Sequence, residues 1–217
     1  MTRAMRAPVL AFDPAGLEVA PSPERFAAFT DALETLTLAN LTDRLGAVYG
    51  ARTAFILAEP LALPGIRGTT VSFADLAALV RRATAVLRDL GVGRGDRVAL
   101  CTRNRMELAV AEWAVVRAGG VAVPVGARLP AEEIARLLAD SGARLLVADR
   151  HVLGGPLRDG HLPVADRIVV DDEDDARGFA RLLAAAPDGC RPRRSMTASW
   201  RSSSTPRARP GAPRGSC

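Results

Sequence analysis

The stretch that decides the fold, residues 72–148, reads SFADLAALVRRATAVLRDLGVGRGDRVALCTRNRMELAVAEWAVVRAGGVAVPVGARLPAEEIARLLADSGARLLVA. In it, segments with an apolar residue every three or four positions alternate with short runs that are apolar throughout, and glycines stand between them. The first pattern is typical of helices and the second of strands that are buried on both faces. We therefore predict an α/β fold with a parallel-rich sheet that has helices on both faces.

The first helix of this stretch has clear start and stop signals. Ser72 and Asp75 form a capping box at its start. Its apolar stripe consists of Leu76, Leu79, Val80, Ala83, Val86, Leu87 and Leu90. The next residue is a glycine, which ends the helix. Arg81, Arg82 and Arg88 lie off the stripe, and we expect them on a solvated face.

The glycine-rich residues 91–96 superficially suggest a loop that binds phosphate. We predict a turn instead, because the segment follows a helix and precedes a strand, whereas a phosphate loop leads from a strand into a helix N-terminus. Beyond this turn the pattern predicts strands at 97–101, 121–125 and 144–148 and helices at 106–118 and 131–140.

The helix at 106–118 is apolar nearly all round, so we expect neighbours to cover it on more than one side. We predict that Asn104 with Glu107 caps it, and we interpret Trp113 as a core residue. Cys101 ends the preceding strand. We interpret it as a small buried hydrophobe rather than a nucleophile, because no nearby histidine could activate it.

Segments on either side extend the same domain, which we place at residues 37–186. Upstream we predict a helix at 37–49 and short strands at 53–57 and 70–73; downstream we predict a strand at 167–171 and a helix at 178–186. The apolar face of the upstream helix consists of Leu38, Leu41, Leu45 and Val48. We expect residues 1–36 to form a loosely ordered arm and residues 187–217 a disordered tail rich in Arg, Ser and Pro.

The charge of the chain is concentrated in its tail. The 217 residues carry a formal net charge of +5, and the 29 basic residues are all arginine, so the chain contains no lysine. Seven arginines and no acids follow Asp188, and without them the net charge is −2. The body of the protein is therefore not basic.

Few residues could hold a metal or form disulfides. Cys101, Cys190 and Cys217 are too scattered for a disulfide framework or a zinc site, and only His151 and His161 are available as histidine ligands. We interpret the acidic run at 171–175 as a solvated loop rather than a cation site. No apolar run is long enough to cross a bilayer and no secretory signal is visible, so we expect a cytoplasmic protein without a membrane span.

Three segments resemble the N-terminal part of the adenylate-forming (AMP-binding) enzyme superfamily, which includes the acyl-CoA synthetases. They are SFADLAALVRRATAVLRDLGVGRGDRVAL at 72–100, NRMELAVAEWAVVRAGGVAVPV at 104–125 and RLPAEEIARLLADSGARLLVAD at 128–149. Residues 37–57, TLANLTDRLGAVYGARTAFIL, are similar to the opening helix and strand of the family. One departure is Gly126, where many members have asparagine.

The resemblance implies ATP-dependent activation of a carboxylic acid to an acyl-adenylate, usually followed by transfer to a thiol such as coenzyme A. Family members use ATP, Mg²⁺ and coenzyme A, a Thr/Ser/Gly-rich phosphate loop ending in Pro-Lys-Gly, an acidic residue on magnesium, an aspartate on the ribose and a lysine from a C-terminal domain. No in-frame residue of this chain matches these motifs. We therefore assign no catalytic, cofactor-binding or metal-binding residue, and we predict that this chain binds none of these cofactors.

The tail has a second interpretation, based on the genetic code. One permitted set of codons for Thr205–Cys217, translated two bases later, spells T-S-G-T-T-G-R-P-K-G-V-L, which is the phosphate loop of the family. In the same frame Met196-Thr197 encodes an aspartate, and serine codons of the TCN type encode apolar residues, which gives a strand-then-loop order. We hypothesise a frameshift, natural or from a sequencing error, between about Ala184 and Ser195. A genuine arginine-rich tail is the alternative.

Three functions are compatible with these observations. The first, which we favour, is an incomplete adenylate-forming ligase whose parent substrate is a carboxylic acid and which has no activity of its own. The second is a small α/β module that binds a ligand at the carboxyl ends of its strands. The third is a nucleic-acid binder that uses the basic tail. In that tail only Trp200 could stack on bases and no recognition module is visible, so we expect no specific nucleic-acid partner.

Overall fold

The computed structural model describes residues 36–66, 68–155, 157, 163–172 and 174–187. The predicted N-terminal arm and C-terminal tail lie outside these residues, apart from residues 36 and 187, and so do His161, Cys190 and Cys217. Within the described part of the chain, no helix has both the length and the apolar character needed to cross a membrane.

The elements alternate between strands and helices along the chain. In order they are α1 (Leu41–Tyr49), β1 (Thr53–Ile56), β2 (Thr70–Ser72), α2 (Phe73–Asp89), β3 (Arg97–Cys101), α3 (Met106–Ala118), β4 (Val121–Pro124), α4 (Ala131–Ser141), β5 (Leu145–Ala148), α5 (Arg150–Gly154), β6 (Asp166–Val169) and α6 (Phe179–Ala185). Every predicted strand and helix of residues 37–186 is therefore present. The short helix α5 is an addition that the sequence pattern did not predict.

The strands form two separate sheets. Strands β3 to β6 make a parallel sheet in the order β4-β3-β5-β6, and β1 and β2 make an antiparallel pair. In the parallel sheet Val98 is level with Ala122 of β4 on one side and with Leu145 of β5 on the other. The prediction of an α/β fold with a parallel-rich sheet is confirmed.

Helices cover both faces of the parallel sheet. On one face the strand residues are mostly Val, Leu and Ile, and they pack with α2, α3 and α6; we call it the large-residue face. Its strand residues are Val98, Leu100, Leu145, Val147 and Ile168. The opposite face packs with α4 and α5, and we call it the small-residue face. Its strand residues are Ala99, Cys101, Leu146 and Ala148.

The capping box of α2 forms as predicted. The N–H of Asp75 donates to Oγ of Ser72 over 3.1 Å, and the N–H of Ser72 donates to Oδ2 of Asp75 over 3.0 Å. Two of the four N–H groups at this helix start are thereby satisfied by side chains.

The predicted cap of α3 was wrong. The residue before the helix is Arg105 rather than Asn104, and no side chain accepts a hydrogen bond from the first turn. The Glu107 carboxylate is instead bound by the Arg105 guanidinium, with Nη2 and Oε1 2.9 Å apart. The Glu107 carboxylate is therefore engaged in an ion pair and does not form a capping box.

The start of α1 also differs from the prediction. The helix begins at Leu41, and Leu38 lies in the turn before it with 65% of its surface exposed, so Leu38 is not part of the apolar helix face. In this turn the N–H of Thr37 donates to Oδ1 of Asn40 over 2.9 Å. An asparagine that accepts a backbone hydrogen bond in this way favours a turn over a helix.

The three arginines off the α2 stripe are half-buried rather than solvated. Nη1 of Arg81 lies 3.2 Å from Oδ1 of Asp43 on α1. Nη1 of Arg82 donates to the carbonyl of Leu183, and Nη2 of Arg88 donates to the carbonyl of Arg117. The reason is that α2 has neighbours on three sides, so its polar face also meets other helices.

Candidate functional site

The carboxyl edge of the parallel sheet is the candidate functional site. Ligands of open α/β sheets bind beyond the carboxyl ends of the strands, because the loops that leave those ends meet there. In this chain the loops after β3, β5 and β6 bring together six charged residues. These residues are Arg103, Arg105, Asp149, Arg150, Asp171 and Asp172, and the sequence analysis had assigned a binding role to none of them.

Asp149 lies at the centre of this cluster. It directly follows β5, and its side chain is fully buried. Its carboxylate accepts hydrogen bonds from the backbone N–H of Arg103 over 3.0 Å, from Nε of Arg103 over 3.1 Å and from the N–H of Val152 over 2.9 Å. Burial raises the pKa of Asp149, but these donors and the Arg103 charge outweigh it and hold the pKa below its usual value. The buried group is therefore a carboxylate.

The end of β6 adds a second carboxylate. Oδ2 of Asp171 lies 3.7 Å from Nη2 of Arg103 and 3.6 Å from Nη1 of Arg105. Its Oδ1 accepts the N–H of Arg150 over 2.6 Å. The guanidinium of Arg150 in turn lies 3.4 Å from Asp172. The acidic run is thus not the freely solvated loop that we expected, since its first two members are tied to arginines of neighbouring loops.

The charges at this edge are compensated within the protein. Burial opposes the charged form of Arg105, but the hydrogen bond with Glu107, its largest influence, raises the pKa of the guanidinium. Three arginines face four carboxylates here: Glu107, Asp149, Asp171 and Asp172. These seven charged groups sum to −1, so they offer no net positive charge to offset that of a triphosphate.

Cys101 is a buried thiol, as the sequence analysis interpreted it. It ends β3 with no exposed surface. Burial, followed by the charge of Asp149, raises its pKa to about 11. The thiolate is the nucleophilic form of cysteine, so this residue is inert at neutral pH. Trp113 is half-buried and packs against the core of the large-residue face, which agrees with its interpretation as a core residue.

The remaining candidates do not form a second site. Among the residues that the structure describes, no three His, Cys, Asp or Glu side chains lie close enough to hold a metal ion. A Cβ added to Gly126 would lie 3.2 Å from Cγ of the Leu129 side chain, and the backbone there needs no positive φ. Nothing in the structure explains why glycine stands at this position.

A comparison with models of protein families identifies the family of this chain. The family model described as AMP-binding enzyme matches residues 43–204, about three quarters of the chain. The chain belongs to the AMP-binding enzyme family. The resemblance found in the sequence is confirmed, and the match favours the ligase hypothesis over the binding-module and nucleic-acid hypotheses.

Individual relatives are acyl-CoA ligases that are much longer than this chain. Long-chain-fatty-acid–CoA ligase FadD13 of Mycobacterium tuberculosis is 38% identical over 77 residues, which are 36% of this chain and 15% of that protein. 4-Coumarate–CoA ligase 2 of Oryza sativa is 31% identical over 142 residues, which are 65% of this chain and 25% of that protein. The chain therefore spans a quarter or less of these relatives.

Solved structures show the same partial coverage. The inhibitor-bound N-terminal domain of FACL13 from Mycobacterium tuberculosis matches with a TM-score of 0.58 and 26% identity, over 70% of this chain and 36% of that one. A fatty acyl CoA synthetase from the same organism matches with a TM-score of 0.59 and 25% identity, over 73% of this chain and 30% of that one. The parallel sheet and its helices thus correspond to part of the N-terminal domain of these ligases.

Proposed function

We propose that this chain supplies the N-terminal scaffold of the adenylating domain of an ATP-dependent acyl-CoA ligase, and that residues 1–217 alone do not catalyse adenylation. The coverage of the family domain carries the proposal, and the ion pairs at the sheet edge support it. The chain matches the FACL13 domain over 70% of its own length but only 36% of that domain, and the charged groups at its own sheet edge are paired with each other.

The reaction of the complete enzyme has two steps. A carboxylate oxygen of the substrate attacks the α-phosphorus of ATP and pyrophosphate leaves, which gives an acyl-adenylate. The thiol of coenzyme A then attacks the acyl carbonyl and AMP leaves. Mg²⁺ offsets the phosphate charge in such reactions. In our proposal the residues that hold ATP, Mg²⁺ and coenzyme A belong to segments other than residues 36–187.

The contribution of this chain is structural. Asp149 holds the loop after β3 through Arg103 and the start of α5 through Val152. Asp171 joins the loop after β6 to the same cluster. These contacts fix three loops at the carboxyl edge, where the parts of a ligand site in an open α/β sheet are assembled. The chain contains no lysine, so it cannot supply the lysines that members of the family use in catalysis.

Isotope exchange tests the proposed lack of activity. The purified chain is incubated with ATP, Mg²⁺, labelled pyrophosphate and, in separate reactions, a long-chain fatty acid or 4-coumarate. The names of the two relatives suggest these acids. We expect no labelled ATP above background, with full-length FadD13 as the positive control on the fatty acid. Exchange catalysed by the chain alone would overturn the proposal.

We further propose that the tail is out of frame, because one permitted set of codons for Thr205–Cys217 spells the phosphate loop of the family in the shifted frame. Sequencing the DNA that encodes residues 184–217 tests this directly. We expect codons that spell T-S-G-T-T-G-R-P-K-G in the shifted frame. Any other codons would leave a genuine arginine-rich tail.

A cytoplasmic location likewise stays a prediction, which cell fractionation with an antibody to the chain would test.

A further inference from the structure

The side chain of Arg117, in the last turn of α3, is buried with part of its guanidinium unused. Only 1% of this side chain is exposed. Its Nη1 donates to Oδ2 of Asp43 and to the carbonyl of Ala39, the latter over 3.3 Å. Its Nε and Nη2 are also buried, and neither has an acceptor in the part of the chain that the structure describes. A buried charged donor without an acceptor is costly, so these two nitrogens indicate a further partner.

The two unused nitrogens form one edge of the guanidinium. The N–H bonds of Nε and Nη2 are nearly parallel, and this edge matches the two oxygens of a carboxylate. Nη1, on the opposite side of the group, already carries the contacts with Asp43 and Ala39. The free edge of Arg117 is therefore suited to a bidentate anion, and a carboxylate is the anion of this kind that protein side chains supply.

The charges around Arg117 are also unbalanced. Asp43 on α1 contacts Arg117 on α3 and Arg81 on α2, so one carboxylate faces two guanidiniums. Arg81 has 33% of its side chain exposed and is solvated, whereas Arg117 has only 1% exposed. The uncompensated charge is therefore costlier at Arg117, and a second carboxylate at its free edge would make the group neutral.

The segment that directly precedes the described residues carries carboxylates within reach of this edge. Residues 24–35 read ERFAAFTDALET, with three acids and one arginine. A turn at residues 37–40 is closed by a 3.1 Å hydrogen bond from the N–H of its last residue to the carbonyl of its first. This turn includes Ala39, whose carbonyl contacts Arg117. Glu34 is the last acid of the segment, and the three residues from it to the turn span about 11 Å at most.

We propose that the Nε–Nη2 edge of Arg117 is a carboxylate site and that Glu34 is the carboxylate that occupies it. The chain just before α1 then lies over the junction of α1 and α3. The N-terminal arm, predicted from the sequence as loosely ordered over residues 1–36, is in this case attached to the domain near its C-terminal end. The inference is independent of the proposed function, because it concerns only contacts between residues 34–43 and the helices α2 and α3.

A double-mutant cycle in the full chain tests the pair. We expect Glu34→Gln to lower the equilibrium constant for folding at least about fivefold, because Arg117 then lacks a charged acceptor at its free edge. In an Arg117→Met background the same change should leave the constant within about twofold. Asp31→Asn, which removes another carboxylate of the same segment, is the matched control. Urea denaturation followed by circular dichroism measures each variant. Equal losses from Glu34→Gln in both backgrounds, or equal losses from Glu34→Gln and Asp31→Asn, would overturn the proposal.

Exchange of the Arg117 Nε–H proton with water provides a direct measurement at the site itself. It is followed by NMR in a buffer without carboxylate ions, so that only the protein can supply the anion, and Arg117→Lys identifies the signal. We expect this proton to exchange at least about tenfold more slowly than that of the exposed Arg128. Glu34→Gln should accelerate the Arg117 exchange at least about fivefold, and Asp31→Asn should not. A fast Arg117 proton in the unchanged chain, or a slow one in Glu34→Gln, would show that Glu34 is not its partner.

Discussion

The two faces of the parallel sheet are built from different residues. The large-residue face packs Val, Leu and Ile of the strands against three helices. The small-residue face presents Ala99, Cys101 and Ala148 to α4 and the short α5. Both faces are fully buried at their centres, since Val98 and Ala99 are each 0% exposed. A sheet can therefore be closed either by bulky strand residues under several helices or by small strand residues that let one helix approach closely.

Truncation of a buried leucine under each face should have the largest effect. Leu79 on α2 is 1% exposed and Leu138 on α4 is 0% exposed. We expect Leu79→Ala and Leu138→Ala each to lower the free energy of unfolding by about 2–5 kcal/mol, because each leaves a cavity. Urea denaturation followed by circular dichroism measures both. If Leu138→Ala cost much less than Leu79→Ala, the small-residue face would not be a closed core.

Labelling of Cys101 probes the small-residue face more finely. In a Cys190→Ser, Cys217→Ser background, we expect alkylation of Cys101 at pH 8 to be at least about a hundredfold slower than in urea. The raised pKa of about 11 lowers the thiolate fraction by roughly that factor, and burial slows access further. Mass spectrometry follows the reaction. Comparable rates in buffer and in urea would mean that this face opens readily.

The third prediction concerns the contribution of Asp149, at the carboxyl edge of the sheet, to the free energy of unfolding. We expect Asp149→Asn to lower the free energy of unfolding at pH 7 by about 1–3 kcal/mol, because the Arg103 guanidinium then lacks its buried charged partner. The pKa of Asp149 is lowered from 3.8 in the folded chain. Its contribution to stability is therefore complete above that value and is lost as the pH falls through the lower, folded pKa. Denaturation of both proteins between pH 7 and pH 2.5 should show the two curves converging at the acid end, whereas a constant difference would contradict this account.

The smallest effects should come from a capping side chain on α2 and from an exposed ion-pairing side chain on α4. The side chain of Ser72 caps α2, but no side chain caps α4, which begins after Pro130. We expect Ser72→Ala to lower the free energy of unfolding by about 1 kcal/mol. The matched change on α4, Arg136→Ala, removes only exposed ion pairs with Glu133 and Asp140, so thermal unfolding should not change measurably. An unchanged free energy of unfolding in Ser72→Ala would show that the cap contributes nothing.

The sequence predicted the backbone of this protein better than its charged contacts. Buried strands such as β3 and the amphipathic helix α2 follow from local patterns, and both lie where the patterns place them. The failures concern polar residues whose partners the pattern of apolar residues does not identify. Asn104 is replaced as cap by Arg105, and Glu107 is engaged in an ion pair; Arg81 meets Asp43 across two helices.

The cluster at the carboxyl edge was missed for the same reason. Arg103 and Asp149 are 46 residues apart in sequence, and no local pattern pairs them. The sequence did contain a signal from which the cluster could have been predicted. A charged residue follows β3, β5 and β6 within two positions of the strand end, and the carboxyl ends of parallel strands meet at one edge. Applied to Arg103, Asp149 and Asp171, that rule would have brought them together before the structure was known.

The strand order also has a consequence for how the protein is made. β3 lies in the interior of the parallel sheet but is the first of its four strands in the chain, and β4 and β5 then add to its two sides. On the ribosome the sheet therefore grows outwards from β3, and the strands β4, β3 and β5 are all available once residue 148 has emerged. Every pairing in this sheet is parallel, and each connection between strands contains a helix. No β-hairpin can therefore form early to position the next strand, and each pairing has to wait until both strands and the helix between them have been synthesised.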